Sequence, residues 1–270
     1  MKKILILIIC LHGLPQLYAQ ERAKEISLMF GPYHQATLDA QASPLLYKTH
    51  NSNSAAFYLI NRGTKSRFQF KLHSGWGSYS PERFKSRTYG DDNYVYSITP
   101  TLYALQLKLA YLRKINAALS STNWQLFVGA ELSNGFLLSD QIANTFWATN
   151  LAGLNATVLA EWQPIRQHSL TAQVSIPALA IVSRANYANY AKSTHGTNLT
   201  EFFHQGSDLV TLNKLQQINL EAKYNYQLSR RFGLGALYQF SWFHYPDPRP
   251  IRSYSQALLL QTSYRFKFKN

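Results

Sequence analysis

The chain has 270 residues, a formal net charge of +14 and 14% aromatic residues. This length fits one barrel or one to two soluble domains. The basic residues are scattered through turns and strand interiors, and no predicted helix carries a basic stripe, so we exclude a nucleic-acid partner. Cys10 is the only cysteine and lies in a segment predicted to be removed, which excludes disulfides, cysteine-based zinc sites and thiol catalysis.

Residues 1–19 have the three parts of a secretory signal peptide. Two lysines at 2–3 form the basic start, 4–11 is the apolar core, and Ala19 offers a small residue at the cleavage site. The apolar core is too short to span a bilayer as a helix. The sequence therefore predicts export of the chain and a single mature domain over 20–270.

The mature chain repeats a two-residue rhythm that is typical of strands with one apolar face. In the clearest case, Tyr103, Leu105, Leu107, Leu109 and Tyr111 alternate with small, polar or charged residues. No run of about 18 apolar residues follows the signal, so no transmembrane helix is predicted. The rhythm predicts ten strands, at 25–33, 54–62, 66–77, 99–112, 123–135, 149–162, 168–178, 215–228, 231–243 and 253–268.

Short and long connections alternate between these strands. Such sorting is typical of outer-membrane barrels, which have short periplasmic turns and longer outside loops, and it predicts both termini in the periplasm. A Greek-key sandwich gives no reason for short and long connections to alternate. Residues 181–182 and 208–210 either prolong the flanking strands or add a hairpin, which would make about twelve strands. The short or intermediate connections are 61–65, 113–122, 163–167 and 229–230, and the long ones are 34–53, 78–98, 136–148, 179–214 and 244–252.

We therefore predict an all-β fold, an antiparallel transmembrane β-barrel whose apolar faces point outward to lipid and whose polar faces line the interior. Aromatic residues fall at the strand ends on two levels, as expected for the two membrane interfaces. Basic residues outside the hydrocarbon band are expected to meet anionic lipid phosphates, here those of lipopolysaccharide. The predicted aromatic girdle consists of Trp76, Trp124, Trp147, Trp162, Trp242 and Phe268.

The same alternation places a set of charged residues inside the barrel. About ten strands enclose a narrow lumen, which long side chains largely fill. Because an unpaired buried charge is costly, the acidic and basic members are expected to pair. We therefore predict that the paired side chains plug the lumen. The alternative is a narrow pore that favours anions. The predicted lumen charge network consists of Arg67, Lys71, Lys108, Glu131, Glu161, Glu221, Lys223 and Arg265.

Nearly the whole mature chain resembles Gram-negative outer-membrane barrel proteins as a class. Tyr264, Phe266 and Phe268 resemble the aromatic last strand that the assembly machinery of this class recognises, although the chain goes on to Lys269 and Asn270. The resemblance implies a location in the outer membrane and lipid and lipopolysaccharide as surroundings. No narrower family is indicated.

Two enzyme families of this membrane show local resemblances. Residues 133–135, Ser-Asn-Gly, are similar to the end of the motif of the outer-membrane phospholipase A family, in which a histidine two residues before the serine acts as the base. Position 131 is glutamate here, so the base is missing. The acidic pair 91–92, with His244 and Asp247, is similar to the acidic pairs and histidine of the ten-stranded omptin proteases, but the spacing does not match.

No catalytic residue, metal-ligand set or cofactor motif is assigned, because the histidines lack paired spacing and no phosphate-binding or dinucleotide motif is present. The leading hypothesis is a non-enzymatic membrane platform whose outside loops, chiefly 78–98 and 179–214, bind a protein, lipid or surface ligand. Other outer-membrane or periplasmic proteins are candidate partners. A narrow anion-favouring pore is the second hypothesis, and an outer-membrane hydrolase is the third.

Overall fold

A computed structural model describes most of the mature chain. The predicted signal peptide at 1–19 and the girdle residue Phe268 lie outside the described residues. Within the described part of the chain, no helix combines the length and the apolar character that a membrane crossing requires. The described residues are 23–81, 87–91, 94–115, 123–142, 145–165, 167–184, 202–203 and 206–267.

Thirteen strands occur among the described residues, and ten of them correspond to the ten predicted strands. The other three are short and lie in connections that were predicted to be long. In chain order the strands are β1 (Ala23–Asp39), β2 (Leu46–Arg62), β3 (Ser66–Pro81), β4 (Arg87–Asp91), β5 (Tyr94–Ile98), β6 (Thr101–Ile115), β7 (Trp124–Ile142), β8 (Thr145–Ile165), β9 (His168–Arg184), β10 (Ser207–Val210), β11 (Gln216–Gln227), β12 (Phe232–Tyr245) and β13 (Ile251–Lys267).

Ten strands close into one antiparallel barrel, in the order β1, β2, β3, β6, β7, β8, β9, β11, β12 and β13. The ring closes because β1 pairs with β13, with Ala23 opposite Lys267, and because β8 pairs with β9 along most of its length. Closure gives each of the ten barrel strands a pairing partner on both sides, as a membrane requires. The predicted fold class is confirmed, with ten strands in the barrel.

The additional strands do not enlarge the barrel. β10 pairs with the last residues of β9, from Ala180 to Ser183, so it prolongs the wall beyond the point where β11 leaves β9. β4 and β5 form a separate two-stranded sheet. The alternative of twelve barrel strands is therefore wrong, because neither addition is inserted between two neighbours of the ring.

The barrel is much longer at one end than the sequence predicts. We call the end that holds residues 23 and 267 the terminal end, and the opposite end the far end. At the far end β7 continues to Ile142 and β8 begins at Thr145, so the predicted long connection 136–148 is almost entirely strand. The predicted loop 34–53 shrinks to residues 40–45 in the same way. Beyond the apolar face the strands are held by backbone pairing alone. The alternation of apolar and polar side chains therefore does not predict these extensions.

The outer surface carries the apolar residues, as predicted. Leu107, Leu258 and Leu260 are exposed on the outside of the barrel, whereas Lys108 and Gln261, which point the other way along the same strands, are buried. On β12, ten residues separate Phe232 at one aromatic level from Trp242 at the other. At roughly 3.4 Å per residue and a tilt of about 40°, this distance spans about 26 Å along the barrel axis. It equals the height expected of the apolar band of an outer-membrane barrel.

Candidate functional site

The charged residues of the lumen form a central cluster that joins opposite walls of the barrel. Lys71 on β3 and Lys108 on the adjacent β6 both donate to Glu221 on β11, at 2.5 Å and 3.0 Å from Nζ to the carboxylate oxygens. β11 lies five strands away from β3 around the ring of ten, so these ion pairs cross the whole lumen. All three side chains are buried.

Glu131 joins this central cluster through amide groups. Its carboxylate accepts hydrogen bonds from Asn155 Nδ2 at 3.2 Å and from Gln173 Nε2 at 2.9 Å. The Gln173 side-chain carbonyl in turn accepts a hydrogen bond from Lys71 Nζ at 2.9 Å. Among the described contacts no ion pair includes Glu131. Two lysines and two glutamates therefore balance in charge at the middle of the lumen.

A second ion cluster crosses the lumen near the terminal end. Glu25 on β1 is fully buried and contacts Lys223, Arg265 and Arg62 at 2.8, 3.0 and 3.1 Å. Glu161 on β8 completes the cluster from the other wall. It pairs with Arg67, whose guanidinium also lies over the Phe127 ring, and with Arg62 at 2.7 Å. Glu25 and Arg62 were not predicted, although each has the inward parity of its strand.

A third cross-connection lies at the far end and was missed by the sequence analysis. Asp39 at the end of β1 pairs with Arg184 on β9 and accepts a hydrogen bond from Trp147 Nε1 at 2.8 Å. Arg184 also donates to the carbonyl oxygens of Asp247 and Arg249, both at 2.6 Å. These contacts join β1, β8 and β9 on the far-end side of the central cluster. We call Asp39, Arg184 and Trp147 the far-end bridge.

Trp147 corrects the predicted girdle. Its side chain is 0% exposed and packs against Tyr79 with 6.4 Å between ring centroids, so it lies inside the barrel and not at the lipid interface. The parity of β8 could have shown this, because Trp147 lies eight residues from the inward-facing Asn155 and therefore shares its face. The prediction relied on the position of Trp147 at a strand end and not on its register.

The other girdle residues within the described part of the chain lie on the outer surface. Trp124 stacks on Trp162 near the terminal end, with 5.7 Å between ring centroids. Trp76 lies toward the far end and contacts Phe30 at 6.4 Å between centroids. Trp242 is the cross-strand neighbour of Tyr254 at the same end.

A small cavity separates the central cluster from the far-end bridge. Its volume is about 90 Å³, which is room for several water molecules. Lys108 and Glu221 line it on the side of the central cluster, and Thr149 and Phe243 line it toward the far end. The remaining wall mixes polar side chains such as Gln35, Ser253 and Ser255 with apolar ones such as Leu137 and Leu151.

Among the described residues, those that resemble enzyme motifs do not assemble into a catalytic site, and Asp92 of the acidic pair lies outside the described residues. Ser133 accepts a hydrogen bond from Asn155 at 3.0 Å, and its neighbour across the strand pair is Gly153. The Asp247 carboxylate accepts a hydrogen bond from Lys214 Nζ at 3.1 Å. This hydrogen bond and the negative charge of Asp247 raise the pKa of the exposed Lys214 ammonium. His244 lies on the outer wall, opposite Arg252. Among the described residues no three His, Cys, Asp or Glu side chains come together as metal ligands.

These features define the class of protein. A closed antiparallel barrel with an outward apolar band, two aromatic levels and a charged, filled interior is an integral membrane β-barrel. No protein-family model matches the chain, and no curated protein matches it.

Comparison with solved structures places the fold among Gram-negative outer-membrane barrels. The outer membrane protease OmpT from Escherichia coli matches with a TM-score of 0.52 at 8% identity, over 93% of this chain and 99% of that one. Neisserial surface protein A matches at 0.38 and 10% identity, over 90% and 99%. The Pseudomonas putida toluene transporter TodX matches at 0.37 and 10% identity, over 94% and 91%. The predicted class and its outer-membrane location are confirmed, and at these identities the similarity extends to the fold alone.

Proposed function

We propose that this chain is a non-conducting outer-membrane platform, whose far end binds a protein or another surface ligand outside the cell. In this proposal the termini face the periplasm and the far end faces outward. The observation that carries the proposal is the crossing of the lumen at three levels by ion pairs and hydrogen bonds between opposite walls. A barrel closed in this way is a rigid support and not a route through the membrane.

The central cluster is the strongest argument against conduction. An ion that passed the lumen would have to separate Lys71 and Lys108 from Glu221, and these groups are buried and in direct contact. Separating a buried ion pair leaves uncompensated charges and costs several kcal/mol. Because the two glutamates and two lysines of this cluster balance, it also lacks the surplus of one sign that selectivity requires.

The far end supplies the surface for recognition. The strands continue well beyond the aromatic level of Trp242, and the separate sheet of β4 and β5 lies in the predicted loop 78–98. This sheet is rich in tyrosine, with Tyr89 paired to Tyr96 in its backbone register. Tyrosine is enriched at the energetically dominant positions of protein interfaces. A tyrosine-rich hairpin held on a rigid barrel therefore favours a protein partner.

Planar-bilayer recording of the purified chain tests closure of the lumen. We expect no steady current from the wild type. The variant Glu221→Gln, which removes the negative charge shared by two lysines, serves as the positive comparison and is expected to raise the frequency of brief openings. A large, steady, anion-selective current from the wild type would overturn the platform proposal and favour the pore.

Proximity cross-linking in intact cells tests the recognition surface. Replacing residues 87–98 by a short glycine-serine connection removes the β4–β5 sheet, which makes no strand pairing with the barrel. We expect the shortened barrel to reach the outer membrane with unchanged heat stability and to lose the cross-links that the full chain forms. An unchanged cross-linking pattern would count against this sheet as the binding surface.

A further inference from the structure

Two buried polar groups line the cavity between the central cluster and the far-end bridge without a hydrogen-bond partner in the described part of the chain. They are His73 Nε2 on β3 and Thr149 Oγ1 on β8. The two residues are only 8% and 1% exposed. A buried polar atom without a partner is costly, and most such atoms in folded proteins are paired. These two atoms therefore indicate that a molecule with polar groups occupies the cavity.

The two groups lie toward opposite ends of the cavity. His73 follows Lys71 of the central cluster by two residues on β3, and Thr149 follows Trp147 of the far-end bridge by two residues on β8. Each is therefore one side-chain row from the structure that borders its end of the cavity. An occupant that satisfies both groups needs a polar group at each of its own ends.

The His73 ring is held in position before anything binds. It packs against Tyr33 with 5.9 Å between ring centroids, and the Tyr33 hydroxyl donates to Gln35 Oε1 at 2.6 Å. Both Tyr33 and Gln35 also line the cavity. Groups that are already fixed by their neighbours lose little conformational freedom on binding, which favours a small ligand.

The wall of the cavity has no surplus of charge. Among the described residues that form it, Lys108 and Glu221 are the only Lys, Arg, Asp or Glu side chains. They are paired with each other, with 3.0 Å between Lys108 Nζ and the carboxylate. A charged ligand would be buried here without a free counter-charge, which is costly. The cavity therefore favours an uncharged ligand.

Size and lining narrow the ligand further. The volume of about 90 Å³ equals the share of about three water molecules in the liquid, which limits a ligand to a short skeleton. Leu137 and Leu151 in the wall offer apolar surface for carbon atoms. A hydroxyl group suits both His73 Nε2 and Thr149 Oγ1, because it donates and accepts hydrogen bonds and so fits either tautomer of the imidazole.

We propose that this cavity is a binding site for a short, uncharged polyol of the size of glycerol. One hydroxyl pairs with His73 Nε2, another pairs with Thr149 Oγ1, and the carbon skeleton lies against Leu137 and Leu151. The central cluster borders the cavity on the terminal side, so the ligand exchanges through the far end. The site goes beyond the platform proposal, because it needs no partner at the β4–β5 sheet and leaves the ion pairs of the central cluster intact.

Saturation-transfer NMR titrations of the purified chain in perdeuterated detergent test the site. The probes are glycerol, 1-propanol, which has the same carbon skeleton with a single hydroxyl, and glycerate, which carries a negative charge. We expect glycerol to bind with a dissociation constant on the order of 1 mM. 1-Propanol should bind about fivefold more weakly, because it leaves one buried group unpaired. Glycerate should give no saturable signal over the same range.

Substitutions at Thr149 test its hydroxyl. Thr149→Val removes the hydroxyl at nearly constant shape and is expected to weaken glycerol binding about fivefold. Thr149→Ser keeps the hydroxyl and should retain most of the affinity. The matched control is Ser139→Ala on β7, which removes another buried hydroxyl that lacks a partner in the described part of the chain but does not line the cavity. It should bind glycerol as the wild type does.

Gly135→Val tests the cavity as a whole. Gly135 lines it, and a Cβ atom at this position would meet only Leu151 O, at 3.9 Å, so a larger side chain extends into free space. Glycerol binding should be lost in this variant. Heat-modifiable migration on a gel checks that each variant is folded, and the comparison of glycerol with 1-propanol needs only the wild type.

Four results would overturn the proposal. A glycerol signal no larger than that of Gly135→Val would show that the cavity holds water only. Equal affinity for 1-propanol would show that the two buried groups do not select the ligand. Glycerate binding as tightly as glycerol would contradict the preference for an uncharged molecule. Equal losses in Thr149→Val and Ser139→Ala, or no loss in either, would show that Thr149 does not contact the ligand.

Discussion

At the scale of single residues, the two central glutamates have different roles. Glu221 neutralises Lys71 and Lys108 directly, whereas Glu131 accepts hydrogen bonds from the neutral amides of Asn155 and Gln173. Both carboxylates are buried and both belong to the central cluster. Their partners therefore decide how much stability each contributes, and burial alone does not.

Glu221→Gln is expected to lower the free energy of unfolding by about 3–5 kcal/mol, because it leaves two buried lysines facing one neutral amide. Glu131→Gln should cost less, since a glutamine still offers a carbonyl oxygen to Asn155 or Gln173. Unfolding in urea from detergent micelles measures both values. Equal losses for the two variants would contradict the assignment of Glu221 as the acceptor that holds the cluster together.

Gly129 illustrates why glycine is required where two strands approach closely. A Cβ atom on Gly129 of β7 would collide with the backbone carbonyl oxygen of Tyr111, whereas one on Gly135 of the same strand would meet only Leu151 O at 3.9 Å. Gly129→Ala is expected to destabilise the barrel by roughly 1–3 kcal/mol through overpacking. Gly135→Ala should be nearly neutral. The temperature at which heat-modifiable migration is lost compares them, and a neutral Gly129→Ala would contradict the close approach.

At the scale of one element, β6 shows how register assigns the two faces of the wall. Leu107 is exposed on the outside and its cross-strand neighbour on β3 is Leu72, also exposed. Gln106 lies on the inner face, opposite His73, which is buried. Because side chains alternate along a strand, a shift of one residue would exchange these faces along the whole element.

Leu107→Arg is expected to destabilise the membrane-inserted barrel by about 2–4 kcal/mol, since it places a charge against the hydrocarbon. Gln106→Arg faces the polar lumen and should be milder. Folding yields into lipid vesicles, compared across a urea series, measure the difference. If Gln106→Arg proved the more damaging change, the inner and outer faces of β6 would be reversed.

At the scale of the whole molecule, closure of ten strands makes the fold cooperative. Every barrel strand pairs with two others, so no strand can separate without breaking two ladders. The charged clusters add connections between walls that are not neighbours in the ring, such as β1 to β9 through Asp39 and Arg184. Both features predict slow, all-or-none unfolding.

The protein is therefore expected to fractionate with the outer membrane and to migrate faster on a gel before boiling than after it. Detergent at room temperature should not open a closed barrel in which each strand pairs with two neighbours of the ring. Urea washing of membranes, followed by electrophoresis with and without heating, measures both properties. Recovery in a soluble periplasmic fraction without detergent would contradict the membrane barrel.

Much of this architecture followed from the sequence because the membrane imposes a pattern on each strand separately. The alternation of Tyr103, Leu105 and Leu107 with Ala104, Gln106 and Lys108 reports which face meets lipid, and this information is local. The ten strands, their faces and the barrel class were predictable for that reason. The far-end extensions of β7 and β8 were not, because beyond the lipid neither face needs to be apolar and only backbone pairing maintains the strand.

The sequence by itself determined that these strands form a barrel with charged residues inside; it did not determine which charges meet. Inward parity is a property of one strand, but the contact of Lys71 with Glu221, or of Trp147 with Asp39, depends on which walls face each other across the closed ring. Strand order, shear and closure set those distances, and they are properties of the whole barrel. Only the tertiary structure could therefore show that ion pairs and hydrogen bonds cross the lumen at three levels and that Trp147 lies in the interior and not at the lipid surface.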